Sequence, residues 1–388
     1  MLCVLLLIPV LLTNATASQA WDTDARKVMN ISENQNGMSF ECKSVVLMEA
    51  NTGTVLYAQN PDEALPPASV TKIMTLLLVM EAIESGSVRM EDPVTVSSYA
   101  ASMGGSQVFL KEGEVLCVRD LLKSVVIASA NDAAVALAEH ICGSTASFVA
   151  KMNDRAARLG MKNTTFENVT GLDDTAQGHL TSAMDIALMS KELIRHKQIL
   201  EFSSIWMDTI RDGAFGLTNT NRLVRFYRGC TGLKTGSTSK AGFCVSATAE
   251  RDGLSLICVI MGASSSDQRN AIATQVLDWG FANYAVCEVK GKDMGSLRVV
   301  GGEKPFCKIG SVDFSCVLTK EELSDICATV NLPAAVQAEV KEGDVVGEIV
   351  FSTDGKVVGS ADILSCESVE RIGFGDVFCR ILAKFLMI

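Results

Sequence analysis

The stretch that most constrains this chain is Pro66-Pro67-Ala68-Ser69-Val70-Thr71-Lys72 and the apolar run behind it. The two prolines hold the approach extended and disfavour helix before them. Residues 73–83 are apolar on nearly every face and stop at Ser85-Gly86, so they predict a buried helix. Ser69 then lies at its first turn and Lys72 one turn on. Residues three apart on a helix are neighbours. A serine hydroxyl attacks poorly until a base takes its proton, and a lysine becomes such a base when burial lowers its pKa. Alone the pair carries little: Ser-x-x-Lys recurs at Ser237–Lys240, a helix-start serine is an ordinary cap, and a lysine is usually solvated.

The totals narrow the class. A chain of 388 residues holds two or more domains. At 48% hydrophobic and 20% charged residues it is globular. A net charge of −11 argues against nucleic acid as a partner. Residues 2–12 are apolar, and the small polar residues after them offer Ala15-Thr16-Ala17 or Ser18-Gln19-Ala20 as a cleavage site, so residues 1–20 read as a secretory signal. The 13 cysteines are scattered, with no Cys-x-x-Cys pair, and several sit in apolar contexts, where they read as small buried hydrophobes. Cys230 and Cys244 flank an expected hairpin symmetrically and are the one pair that invites a disulfide. Three histidines, His140, His179 and His196, argue against a histidine metal cluster, and neither a metal nor another cofactor is expected.

Residues 43–50 and 54–58 form two strands about Asn51-Thr52-Gly53. After the Ser69 helix, residues 94–113 read as loop with short strands. Helices follow at 118–128, 133–141, 146–159 and 182–194, with a polar loop at 166–178. Residues 228–237 lead into a turn. Strands at 241–249 and 254–263 meet at Glu250-Arg251-Asp252-Gly253, and a helix at 270–284 packs back. The pattern is α+β: an antiparallel sheet covered by helices, with a mainly helical insert. From residue 285 the texture changes to short strands at 286–289, 297–300, 312–318, 336–340, 347–351 and 356–363, an all-β domain. Residues 369–388 carry Phe374, Val377, Phe378, Ile381, Leu382 and Phe385 at helical spacing, an amphipathic helix suited to a membrane interface.

Three short patterns align: Ser69-x-x-Lys72, Ser129-x-Asn131 and Lys234-Thr235-Gly236. A tripeptide such as the last occurs by chance in roughly one chain in ten at this length. All three, in order and each at an expected element boundary, are far rarer. The chemistry is coherent. Ser69 attacks a carbonyl and Lys72 takes its proton. Ser129 relays a proton to the leaving amine. Asn131 holds a substrate amide and orients Lys72. Lys234 and Thr235 meet an anionic substrate end. Gly236 lets a ligand approach the strand edge. The backbone N–H groups of Ser69 and Ser237 are candidate oxyanion donors.

These motifs are the signature of penicillin-binding proteins and class A β-lactamases. The chain resembles the D-alanyl-D-alanine carboxypeptidases, the low-molecular-mass penicillin-binding protein family of serine peptidases. The likeness runs over roughly residues 40–284, including 68–75, 121–140, 168–186 and 232–243, and extends more loosely to the β domain and terminal helix. It implies a β-lactamase/transpeptidase-like fold and removal of the terminal D-alanine from peptidoglycan stem pentapeptides. It implies an acyl-enzyme that water hydrolyses and that β-lactams trap, and no metal. By position it implies Ser69 as nucleophile, Lys72 as base, Ser129 and Asn131 as second motif and Lys234, Thr235 and Gly236 as third. Arg269 resembles the family's arginine near the carboxylate subsite. The family's usual Val-Asp-Gly before the third motif is Cys230-Thr231-Gly232 here, which puts local strand pairing in question.

The implied organisation is a signal peptide at 1–20, a lead-in at 21–39, the carboxypeptidase domain at 40–284, the β domain at 285–365 and a membrane-anchor helix at 366–388. The protein is expected outside the cell, on the outer face of the cytoplasmic membrane, bound to the membrane surface through that helix. A class A β-lactamase is the rival enzyme, but the loop from Glu167 to Asp174 lacks the Glu-x-x-Leu-Asn pattern, leaving Glu167 and Asp173 as stand-ins. A non-catalytic wall-binding protein is the rival of another class, and the intact motifs argue against it. Transpeptidation shares every motif.

Overall fold

The computed structural model describes residues 10–13, 38–172 and 177–385. Apart from 10–13, the expected signal peptide lies outside the described residues, as does the lead-in up to residue 37. The chain divides into two compact units, one within Lys27–Ala282 and the other made of Asn283–Ile388 together with the N-terminal stretch that carries Val10–Thr13.

The first unit is built on a five-stranded antiparallel sheet. Its strands are β1 (Ser44–Glu49), β2 (Val55–Gln59), β3 (Cys230–Thr238), β4 (Gly242–Arg251) and β5 (Leu254–Ala263), in the order β2-β1-β5-β4-β3. The strand carrying Lys234, Thr235 and Gly236 is therefore an edge, with one row of backbone groups unpaired. The expectation of a turn there underestimates the strand. Alternation does not mark it, because every residue from Gly232 to Gly236 is buried. The register slips between Cys230 and Gly232, which answers the question raised by the unusual residues before the motif.

The helices are α1 (Lys72–Glu84), α2 (Val118–Ile127), α3 (Asn131–Cys142), α4 (Thr145–Arg158), α5 (Ala183–Arg195) and α6 (Ser266–Asn283). α1 is the buried helix its composition predicts: Ile73 through Val79 are at most 1% exposed, and polarity returns at Glu81 and Glu84. One 3-10 turn, Ala68–Thr71, precedes it. α1 packs with α3, α4 and α5 in one core with the sheet. α6 lies close on the sheet, where a side chain at Gly280 would meet Leu47 and Leu256. A hairpin, Met207–Ile210 with Phe215–Thr218, is additional to the predicted elements.

The second unit is all-β. Its main sheet joins Cys327–Asn331, Val345–Thr353, Lys356–Ser365, Phe306–Ser311, Asp293–Val300 and Ala335–Gln337, and Val10–Thr13 pairs in parallel with the first of these. Tyr284–Val289 and Phe314–Thr319 form a separate antiparallel pair. The terminal helix is Phe374–Phe385. It begins later than residue 369, because Val369 is buried and bridges Val340 as part of the β unit.

Cys230 and Cys244 do not face one another. The register pairs Cys230 with Ala249 and Cys244 with Gly236, and both are free thiols. Their symmetry about the turn is lost to the bulge and to the length of the intervening β3 residues.

Candidate active site

The 3-10 turn sets Ser69 and Lys72 on one side. Lys72 Nζ donates to Ser69 Oγ at 2.8 Å and to the Thr170 carbonyl at 2.8 Å. Lys72 is fully buried while Ser69 is half-buried. Burial, then the neighbouring Lys234 charge, hold the Lys72 amine well below its ordinary range, against the opposing pull of Asp132. A neutral amine touching a hydroxyl is the arrangement a base-activated nucleophile requires.

The edge strand closes against this turn. A Cβ at Gly236 would sit 2.8 Å from Ser69 N and 2.9 Å from Val70 N. Glycine is what lets the strand approach the serine's own amide. Lys234 is 1% exposed, and its Nζ donates to the Thr235 carbonyl at 2.9 Å. Burial and then Arg269 push it down to about 7. Arg269 is 5% exposed, so it is no solvated residue at a helix start. It donates to the Cys244 carbonyl and to Asn270 Oδ1. Burial first, then the charge of Arg222, lower it to about 10 against the opposing effects of Cys244 and Asp267. Both cations are thus buried and lowered by burial, and the Arg269 charge lowers Lys234 further. Thr235 Oγ1 donates to Thr220 Oγ1 at 2.8 Å. Ser237 is exposed at the mouth.

The second motif is held separately. Ser129 is left-handed, with φ of +61°, and so is Ala68, with φ of +49°. Such residues are uncommon without glycine and persist where the surroundings over-determine them. Asn131 Nδ2 donates to the Gly104 carbonyl and its backbone N–H to the Ser106 carbonyl, both at 2.7 Å. Buried Asp132 accepts from the N–H groups of Val108 and Leu110. Ser129 Oγ and Asn131 Oδ1 are buried with no hydrogen-bond partner. Buried polar atoms are nearly always satisfied, so two unsatisfied ones two residues apart point to function.

Asn131 does not orient Lys72; its amide is turned to Gly104. The Thr170 carbonyl takes that place, and sequence reasoning missed it. Loop 166–172 runs along α1, with Thr75 Oγ1 donating to the Val169 carbonyl at 2.7 Å. Thr71 Oγ1 lies 2.8 Å from His179 Nε2, while the Glu167 N–H donates to His179 Nδ1. That leaves Nε2 as the donor to Thr71 in a neutral ring. A Cβ at Gly171, where φ is +82°, would lie 1.8 Å from the Ala68 carbonyl oxygen. The legible signal was Asn168, whose Oδ1 accepts from the N–H groups of Thr170 and Gly171 in an Asx-type turn. The rival deacylating group Glu167 is exposed, with one oxygen accepting from the Gly178 N–H; Asp173 lies outside the described residues. Among the described residues no cluster of metal-ligating side chains occurs.

Comparison with known proteins agrees with this geometry. The family model described as D-alanyl-D-alanine carboxypeptidase matches residues 29–265, and that of the penicillin-binding protein 5 C-terminal domain matches residues 288–371. The chain is similar to D-alanyl-D-alanine carboxypeptidase DacF of Bacillus subtilis, at 41% identity over 87% of this chain and 88% of the relative. It is also similar to the solved penicillin-binding protein 5 of Haemophilus influenzae, with a TM-score of 0.77 and 33% identity over 86% of this chain and 99% of that one. Penicillin-binding protein D2 of Listeria monocytogenes in its ampicillin-bound form matches at a TM-score of 0.55 and 32% identity, over 63% of this chain and 98% of that one. With the serine, lysine and strand edge assembled as described, the chain belongs to the D-alanyl-D-alanine carboxypeptidase family of penicillin-binding serine peptidases.

Proposed function

We propose that this chain is a serine-type D-Ala-D-Ala carboxypeptidase that removes the terminal D-alanine from peptidoglycan stem pentapeptides. The observation that carries this reading is Lys72, fully buried with its amine against Ser69 Oγ and its pKa depressed. The neutral amine takes the Ser69 proton as Oγ attacks the carbonyl of the penultimate D-alanine. The N–H groups of Ser69 and Ser237 face the developing oxyanion, and Gly236 leaves room for the peptide to lie along the strand edge. Lys234, Thr235 and Arg269 hold the terminal carboxylate. Ser129 passes a proton to the departing amine, and Asn131 Oδ1 accepts from a substrate amide; both atoms are without protein partners. Water then hydrolyses the ester on Ser69. A β-lactam offers its ring carbonyl to the same serine and, on ring opening, leaves a penicilloyl-type ester there, in keeping with the ampicillin-bound relative.

The protein acts outside the cytoplasm. Phe374, Phe378, Ile381, Leu382 and Phe385 of the terminal helix are all exposed, which supports peripheral attachment to the outer face of the membrane through that helix. The 1–20 signal and the division into a carboxypeptidase domain, a β domain and an anchor belong to this reading. Deleting residues 374–388, which leaves the Val340–Val369 bridge in place, should move the protein to the soluble fraction; unchanged membrane fractionation would reject the anchor.

Mass spectrometry tests the chemistry. Purified protein incubated with penicillin should gain a penicilloyl adduct, and a pentapeptide ending in D-Ala-D-Ala should lose one alanine. Ser69→Ala should do neither. An adduct without alanine release would mean another acceptor or substrate, and an adduct on Ser69→Ala would sink the assignment of the nucleophile.

A further inference from the structure

The β unit holds a second pair of reactive groups, far in sequence from the motifs. Tyr284–Val289 and Phe314–Thr319 run antiparallel, and the register sets Cys287 directly opposite Cys316. Residues so paired have Cα atoms about 4.5 or 5.5 Å apart and point to the same face. Both distances lie in the roughly 4.4–6.8 Å window that a disulfide spans. Both thiols are free. Cys287 is buried and Cys316 half-buried. Among the described residues no other strand pairing sets two cysteines opposite: Cys230 and Cys244 lie opposite Ala249 and Gly236, and Cys327 lies opposite Ser352.

We propose that Cys287 and Cys316 form a reversible dithiol–disulfide couple that staples the first strand of the β unit to the strand beside it. The oxidant is a small-molecule disulfide of the glutathione type. A thiolate of the pair attacks one sulfur of that disulfide, forming a mixed disulfide and releasing one small thiol. The second cysteine gives up its proton to solvent and attacks the protein sulfur, and the second small thiol leaves. Two protein thiols are oxidised and one disulfide is reduced to two thiols. The neighbouring Cys316 lowers the Cys287 thiol while Cys287 and burial raise that of Cys316, so Cys287 is the first of the two to become a thiolate. The Cys287–Cys316 bond closes a loop of about thirty residues, a length at which a cross-link stabilises appreciably. The inference rests on strand register and is independent of the proposed catalytic activity.

The test uses the full chain. Protein is incubated with excess oxidised glutathione at about pH 8, near the ordinary thiol range, alkylated, and digested without reductant. The expected product is a peptide containing Cys287 linked to one containing Cys316, lighter than the two by two hydrogen atoms and separated by dithiothreitol. Thermal unfolding of the oxidised protein should shift up by several degrees relative to the reduced protein, and Cys316→Ser should lose both the link and the shift. Recovery of the two cysteines as separate alkylated or glutathionylated peptides would overturn the proposal. So would a cross-link of either to a different cysteine. The map of the unmutated chain decides even if the variant does not fold.

Discussion

The two units differ most in what they bury. The first keeps Lys72, Lys234, Arg269, Asp132, Ser129 and Asn131 at 5% exposure or less, whereas the only buried polar residues described in the β unit are Thr353 and Ser365. Removing an ammonium from water costs several kcal/mol unless it is well paired. In the first unit the lowered Lys72 pKa eases that cost, and in the proposed reaction a substrate carboxylate would complete Lys234 and Arg269. The β unit asks nothing similar of its core. Phe351 stacks on Phe314 at 4.1 Å and 10°, amid Ile349, Ile363 and Cys307. Stability and function therefore pull against each other in one unit, while the core of the other serves stability alone.

The sharpest way to break that contrast is Lys72→Met. Removal of the base should lower acylation by penicillin about 10²–10⁴-fold, while the melting temperature stays level or rises, because an apolar side chain replaces a buried amine. Acylation at the unmutated rate would show that another group takes the Ser69 proton.

Next in size is the pH response of Lys234. A lysine in the unfolded chain titrates near 10.4, and in the folded protein near 7. Between those values the unfolded state binds more protons, so stability rises with pH across that window. The burial cost is fully present below about 7. The charge that meets the substrate carboxylate fades over the same range, so kcat/KM should fall about tenfold per pH unit above 7. Lys234→Arg keeps its charge and should shift that limb upward by more than a unit. An unshifted limb would place the titration elsewhere.

A smaller effect attends Thr220, which accepts the Thr235 hydroxyl. Thr220→Val leaves that hydroxyl without its acceptor, a loss of about 1 kcal/mol, or roughly fivefold in KM with kcat nearly unchanged. An equal fall in kcat would mean that Thr220 acts on the reacting atoms as well.

How far the sequence carries follows the same division. Ser69, Lys72, Lys234 and Gly236 were legible because each needs a particular side chain, or none, at a fixed place on a helix or strand. The β1–β2 and β4–β5 pairings were legible from their hairpin turns, whereas the pairing of β1 with β5 and the edge strand β3 were not. Thr170 was not legible, because its contribution is a carbonyl, which every residue has. Thr220 and Asp132 act across long sequence separations, on Thr235 and on the N–H groups of Val108 and Leu110, and nothing local marks them. In the β unit the strands Phe306–Ser311 and Cys327–Asn331 escaped notice. Their inward residues, Cys307 and Ile309, and Ala328 and Val330, alternate with Lys308 and Thr329 over too few positions to stand out.

The smallest effect on turnover should come from the largest injury to the β unit. Phe351 is 1% exposed and fully engaged. Phe351→Ala removes a buried ring and should destabilise that unit by about 3–5 kcal/mol, a large share of the stability of a domain this size. Penicillin acylation and D-alanine release, measured below the first unfolding transition, should stay within a factor of two of the unmutated protein, because no catalytic candidate lies beyond Arg269. Calorimetry would resolve the lowered transition, and acylation across the same temperatures would show whether activity follows it. If activity were lost in step with the β unit, the first unit would depend on the second to hold Ser69, Lys72 and the strand edge together, and the separation drawn from their cores would fail.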